Sequence, residues 1–340
     1  MGSGRPLSIL GTGMVCSVGL SAPAACAAIR AGLTNPTESR FLDEQGDWLV
    51  VHSVPLELPW NIKLGQMAAA AVAESMASLS PQHRQATPVL LCLSERLDAA
   101  LQAGLEVDIP AAIAAELGCA LAPQSAVVAR GRVGVGYALN RARQLIYEAG
   151  VPAVVIAATD SLLTGPTLSG YVRARRLLTA ENSNGFIPGE AAAAVLVGAG
   201  DGGQVVCNGV GMAVEPAPIG SESPLRADGL VAAIRAALAE AGYQMHDMDL
   251  RVADISGEQY YFKEATLAVA RLLRARKAQF DLWHPAQCVG ETGAAAGLIA
   301  MVVADTALRK SYAPGSKILT HISADNGDRV AAVLQHGARP

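Results

Sequence analysis

The sequence predicts an α/β fold with largely parallel strands, and three observations carry that prediction. Apolar runs bounded by glycine or polar residues alternate with helical patterns from end to end. The composition is 51% hydrophobic, 16% charged and only 4% aromatic, an alanine- and glycine-rich interior suited to helices packed closely on a buried sheet. The 340 residues suffice for one large unit or for two similar halves.

The elements follow in order. A strand over 6–10 (Pro-Leu-Ser-Ile-Leu) opens the chain, and small residues at helical spacing predict a helix over 23–31. A longer alanine-rich helix covers 62–77, and the apolar run at 88–93 reads as a buried strand. Helix 136–149 is followed by strands 153–158, 191–197 and 204–210. Amphipathic segments at 230–241 and 264–275 and the small-residue segment 293–308 are helices. Strands at 250–255, 317–322 and 330–334 complete the set. Asp201-Gly-Gly203 reads as a seam between halves 1–200 and 201–340, which would form a pseudo-duplicated, five-layered αβαβα unit. Gly11-Thr-Gly13 after the first strand invites a dinucleotide-binding fold. However, the third glycine of that fingerprint falls at Cys16, and no acid is well placed about 20 residues on for a ribose.

Net charge is −4, and the densest basic cluster, Arg271 to Lys277, fits the solvated face of a helix. Nucleic acid is therefore not an expected partner. Low charge for the length instead predicts a surface partly covered by another subunit. The six cysteines (Cys16, Cys26, Cys92, Cys119, Cys207, Cys288) show no CxxC pair and sit mostly in apolar runs, as reduced buried thiols do. With no secretory h-region and no apolar run of membrane-spanning length, the expected compartment is the cytoplasm and no membrane contact is expected. Neither the cysteines nor His52, His83, His246, His284, His321 and His336 have metal-ligand spacing, so no metal and no cofactor is expected.

Two stretches carry a resemblance. Gly185-Phe-Ile-Pro-Gly-Glu190 leads into an alanine-rich strand, and Cys288-Val-Gly-Glu-Thr-Gly-Ala-Ala-Ala-Gly297 leads into a helix. With Ser8 to Gly19, the helix from Ala138 and the strand Val155 to Ser161, these resemble the β-ketoacyl synthases, thiolase-fold condensing enzymes of fatty-acid and polyketide synthesis. The resemblance touches both halves and implies dimers joined through a strand near 125–129. It also implies that Glu190 is held internally.

The departures matter as much. The family's nucleophilic cysteine sits at a strand–helix elbow, where a helix N-terminus lowers its pKa. The resemblance places Arg132 there, Ser256 at the first family histidine (with Gly257 kept) and Glu291 at the second. Near Ala286 the family lysine is missing, and the closing glycine-rich loop corresponds to residues 323–328, without phenylalanines. A carboxylate where enolate charge develops repels it by about 4 kcal/mol at ~4 Å and an effective dielectric of ~20. Elongation chemistry should be absent. Two readings of Arg132 stay open, a pair with Glu291 filling the old pocket or an ordinary loop residue, and Glu291 alternatively caps its helix. Substitute candidates are Cys288 as a thiol and His284 as a base, each set against an inert, packed role. Glu258, Tyr260 and Tyr261 line a polar cavity or a dimer face.

The resemblance therefore implies a non-catalytic scaffold or adaptor. Degenerate relatives of this kind sit in bacterial type VI secretion effector loci, which would make the partner a secreted effector. Two alternatives stand beside it: a silent subunit like the chain-length factors of polyketide synthases, and an acyltransferase of 3-oxoacyl synthase type with relocated residues. The partner kinds implied are a second copy, a related synthase-like chain and an acyl carrier protein.

Overall fold

The structure, a computed structural model, describes residues 4–95, 99–200 and 204–337. The expected seam at 201–203 lies outside the described residues. The chain first runs through β1 (Leu7–Cys16), α1 (Ala22–Arg30), a hairpin of β2 (Thr37–Leu42) and β3 (Trp48–Val51), α2 (Trp60–Ser75) and α3 (Pro81–Ala86). Then come β4 (Val89–Leu93), α4 (Ala99–Leu117), β5 (Ala126–Ala129), α5 (Gly134–Tyr147), β6 (Ala153–Ser161), α6 (Gly165–Arg173) and β7 (Glu190–Ala199). The remainder contains β8 (Val205–Val214), α7 (Asp228–Ala241), β9 (Leu250–Ala253), α8 (Gln259–Leu272), β10 (Leu282–Trp283) and α9 (Ala286–Val289). It closes with α10 (Ala296–Arg309), β11 (Lys317–Ser323) and β12 (Asp328–His336).

Strand order reveals an internal repeat. One side of the main sheet reads β1-β7-β6-β4-β5 and the other β8-β12-β11-β9-β10. In each set the first two pairings are antiparallel and the last two parallel. The sheet is thus mixed, which corrects the expectation of largely parallel strands: alternation along the sequence locates strands but not their direction. The two sets join through one short antiparallel contact, Leu7–Ile9 against Val205–Cys207.

Packing builds the layers. Helices α5 and α10 lie between the two sets, and α10 is buried from Ala296 to Leu308, mostly apolar all round as a central helix is, with Asp305 and Thr306 its buried polar residues. Helices α2 and α4 cover the outer face of the first set, and α7 with α8 covers the second. The result is five layers, helix–sheet–helix–sheet–helix.

The Gly-Thr-Gly of residues 11–13 lies inside β1, which extends six residues beyond the expected strand 6–10 after a bulge between Ile9 and Gly11. A Cβ at Gly11 or Gly13 would lie 2.1 or 1.9 Å from the carbonyl oxygens of Ser75 and Ala71 on α2. Gly209 and Gly211 of β8 meet Ala237 and Ala233 of α7 in the same way, at 2.1 and 2.0 Å. Each glycine pair, two apart on a strand, accepts two carbonyls four apart on a helix.

Other boundaries shift. Helix α8 spans 259–272, not 264–275, so most of the basic cluster follows the helix. Arg271 pairs with Asp228 at 2.6 Å, and Lys277 binds the carbonyls of His246 and Met248 at 2.9 and 2.5 Å, so this cluster is not merely a solvated face. The β2–β3 hairpin, α3, α4 and α6 stand outside the elements expected from the sequence. Among the described residues no helix is long and apolar enough to cross a membrane.

Candidate functional site

The two stretches singled out in the sequence hold each other. Gly189 N–H donates to the Glu291 carbonyl at 2.8 Å, and Glu291 N–H donates to that of Ile187 at 2.8 Å. Gly189 must be glycine, since its Cβ would stand 2.4 Å from the Val289 carbonyl oxygen. Glu190 is buried and fully engaged: Oε1 accepts from Lys63 Nζ, from Ser53 Oγ at 3.0 Å and from Val54 N–H at 2.9 Å, while Oε2 accepts from Ser161 Oγ at 2.8 Å. These contacts make it an internal anchor rather than a reactive acid.

Beside this junction, the turn Gly131–Val133 before α5, the end of β6, the segment after β9, residues 291–294 and the β11–β12 connection converge. Arg132 and Glu291 form a buried ion pair there, with Nη2 to Oε2 at 3.1 Å and exposures of 8% and 1%. The contact is electrostatic, since Oε2 has no aligned hydrogen-bond donor among the described residues. Oε1 accepts from Gly293 N–H at 2.9 Å, so Glu291 also caps the helix start, and the pairing and capping readings hold together. Burial pushes the Glu291 carboxyl up, and Arg132 opposes that shift. Although burial disfavours charge on Arg132, Glu291, Asp325 and Asp254 keep its guanidinium firmly protonated. Ser256 stands near Glu291 and helps hold its charge, but its buried Oγ makes no aligned hydrogen bond.

Three further acids complete the cluster. Asp160, at the end of β6, accepts from Ser161 and Ala294 N–H groups at 2.8 Å each, and burial raises it to about 6. Asp254, just past β9, accepts from Ser323 N–H at 3.1 Å, and burial raises it to about 7. Asp325 pairs with Arg176 at 2.5 Å and receives the Tyr261 hydroxyl. Arg176 clamps Glu258 with two bonds of 2.7 and 2.6 Å. Glu258 and Tyr261 therefore belong to a buried polar network, not to a dimer face. Behind it Arg329 and Glu264, both fully buried, pair at 2.7 Å.

The cavity beside Arg132 measures about 40 Å³ and is lined by residues including Glu95, Asp160, Tyr171 and Asp325. That is room for about three waters. Among the described residues no cysteine or histidine lines it. Cys288 is 1% exposed, with its thiol pushed up by burial. His284 packs edge-on to Phe262 at 5.6 Å, is pushed down by burial, and lines a separate groove. Neither candidate reaches the cluster. Among the described residues no group of histidine, cysteine and acid side chains could hold a metal ion.

Comparison with solved structures fixes the architecture. A chain of the AntDE:AntF complex, a type II polyketide synthase acyl-carrier protein with its ketosynthase bound to the hexaketide, superposes with a TM-score of 0.82 at 15% identity. It covers 98% of this chain and 100% of its own. The fold is the thiolase-like fold of ketosynthases. The ketosynthase ApeO in complex with its chain length factor ApeC, from Xenorhabdus doucetiae, gives 0.78 at 15% identity, covering 98% of both chains. The ishigamide ketosynthase/chain length factor gives 0.77 at 17%, covering 98% of this chain and 100% of that one. No protein-family model matches the sequence, and no curated protein does.

The cluster acids Asp160, Asp254 and Asp325 had not been assigned to the site from sequence. A signal existed: Asp160 and Asp254 stand at or just past the carboxyl ends of apolar strands, where open α/β sheets place polar sites.

Proposed function

We propose that this chain is a catalytically silent subunit with a thiolase-like fold, acting by pairing with a related, synthase-like chain in the manner of a chain-length factor. The carrying observation is the Arg132–Glu291 pair beside a cavity of about 40 Å³. A guanidinium cannot carry an acyl group as a thioester, and a buried carboxylate opposes the enolate of decarboxylative condensation. Ser256 and Glu291, in place of two imidazoles, supply no neutral N–H donor.

Pairing has a physical basis in β5. It contacts β4 on one side and forms the sheet edge on the other, so its outer backbone groups are available to a partner strand. Solved neighbours assembled as ketosynthase with chain length factor, or with acyl-carrier protein, support a synthase-like chain and a carrier protein as partners. In this reading the chain works in the cytoplasm without cofactor or metal, as two thiolase-like halves, 1–200 and 201–340.

The Gly290 to Gly297 motif favours a second form of the same reading, in which the silent scaffold serves a type VI secretion effector. Co-purification from the native cell decides between them: an active ketosynthase subunit in the complex supports the first, and a secreted effector the second. Acyl-carrier-protein labelling tests silence itself. Stable acylation of any thiol, Cys288 included, refutes it and restores an acyltransferase with relocated residues. A monomer in sedimentation at micromolar concentration, alone and with each partner, refutes the pairing role.

A further inference from the structure

Away from the charged cluster, a groove of about 270 Å³ opens between α1 and the segment from β10 into α9. Its walls are Trp283 and Tyr312, stacked with ring planes 21° apart and centroids at 6.2 Å. Ile29 and the buried Val303 supply apolar surface. Arg30 lies over the Tyr312 ring at 4.3 Å and remains exposed at the rim. Among the described residues no aspartate or glutamate lines the groove, and Arg30 is its one permanent cation.

We propose that this groove binds a small aromatic carboxylate, with its flat body against Trp283 and Tyr312 and its anionic head on Arg30. The volume suits roughly a bicyclic acid and lies just below the usual range for drug-sized ligands. Flat aromatic walls favour a flat ligand through offset or edge contacts. A lone guanidinium at an apolar rim favours a carboxylate, which it engages with charge-assisted hydrogen bonds. Gln287 at the mouth adds an amide donor, and the Tyr312 hydroxyl, pushed up to about 12 by burial, stays protonated. The site is separate from the Arg132 cluster and does not depend on the silent-subunit reading.

Isothermal titration with 2-naphthoate and with its neutral amide, 2-naphthamide, tests this on the whole chain. The naphthoate should bind at one saturable site, and Arg30→Gln should weaken it about tenfold. Because Arg30 is exposed, that variant keeps the fold. The amide should bind the unaltered protein about as weakly as the acid binds Arg30→Gln. Trp283→Leu should abolish binding of both. Absence of saturable binding up to millimolar ligand, equal affinity for acid and amide, or an affinity unchanged by Arg30→Gln would each overturn the proposal.

Discussion

Replacing Arg132 and Glu291 one at a time should give very unequal results, because the cluster holds more acid than base. Arg132 faces Glu291 directly and also interacts with Asp254 and Asp325. Arg132→Met leaves Glu291 buried without its counter-charge, a loss of about 3–5 kcal/mol. Glu291→Gln leaves Arg132 with Asp254 and Asp325 for compensation, and the amide oxygen can still accept from Gly293 N–H. Its cost should stay below about 1 kcal/mol. The double variant should recover most of what Arg132→Met loses, since no uncompensated Glu291 charge remains. Urea denaturation followed by circular dichroism at pH 7.5 reads all three midpoints. The Arg132→Met deficit should shrink at pH 5.5, because carboxyls already raised by burial take up protons once the cation is gone. Equal losses for the two single variants, or a deficit independent of pH, would refute the electrostatic account.

Asp254 titrates near 7 in the folded chain against about 3.9 unfolded, so the native state binds the extra proton and stability falls as pH rises between those values. Asp254→Asn lacks that slope, so its unfolding free energy from urea denaturation should gain on that of the parent protein from pH 4 to pH 8, by up to about 4 kcal/mol; a constant offset would contradict this. Gly13→Ala pushes a methyl against the Ala71 carbonyl and should cost several kcal/mol, at or above the usual overpacking range of about 1–3, seen as a large drop in midpoint or insoluble protein. Iodoacetamide at pH 8 should modify the partly exposed Cys119 alone in the native protein and all six cysteines in denaturant. Burial pushes Cys16 and Cys92 to about 12 and Cys26 and Cys207 to about 11, and Cys288 is 1% exposed. Rapid native labelling of Cys288 would point to an accessible thiol.

Much of the fold was legible because many strands contain apolar runs and helices such as α5 and α8 are amphipathic. Gly189 and Ile187, just before Glu190, proved to be in backbone contact with Glu291. The Arg132–Glu291 pair was reachable only through the resemblance to the β-ketoacyl synthases, which brings both positions to one site. Strand direction was not legible: β6 and β7 are buried on both faces along almost their whole length, and nothing in such a run records which way it is paired. Gly11-Thr-Gly13 and Gly209-Val-Gly211 are an internal repeat that periodicity misses, because only two glycines recur. The partners that draw Asp160, Asp254 and Asp325 into the cluster, Ala294, Ser323 and Tyr261, lie more than 60 residues away, so the clustering exists only once the layers are assembled.

The amides of Gly293 and Ala294 are each occupied by a carboxylate belonging to the chain itself, Glu291 and Asp160. Any anion arriving from solvent must displace groups tethered a few ångströms from their donors, whose effective concentration exceeds any a free molecule can reach. The helix start therefore behaves as a receptor already saturated by its own tethered ligands, and dilution cannot empty it.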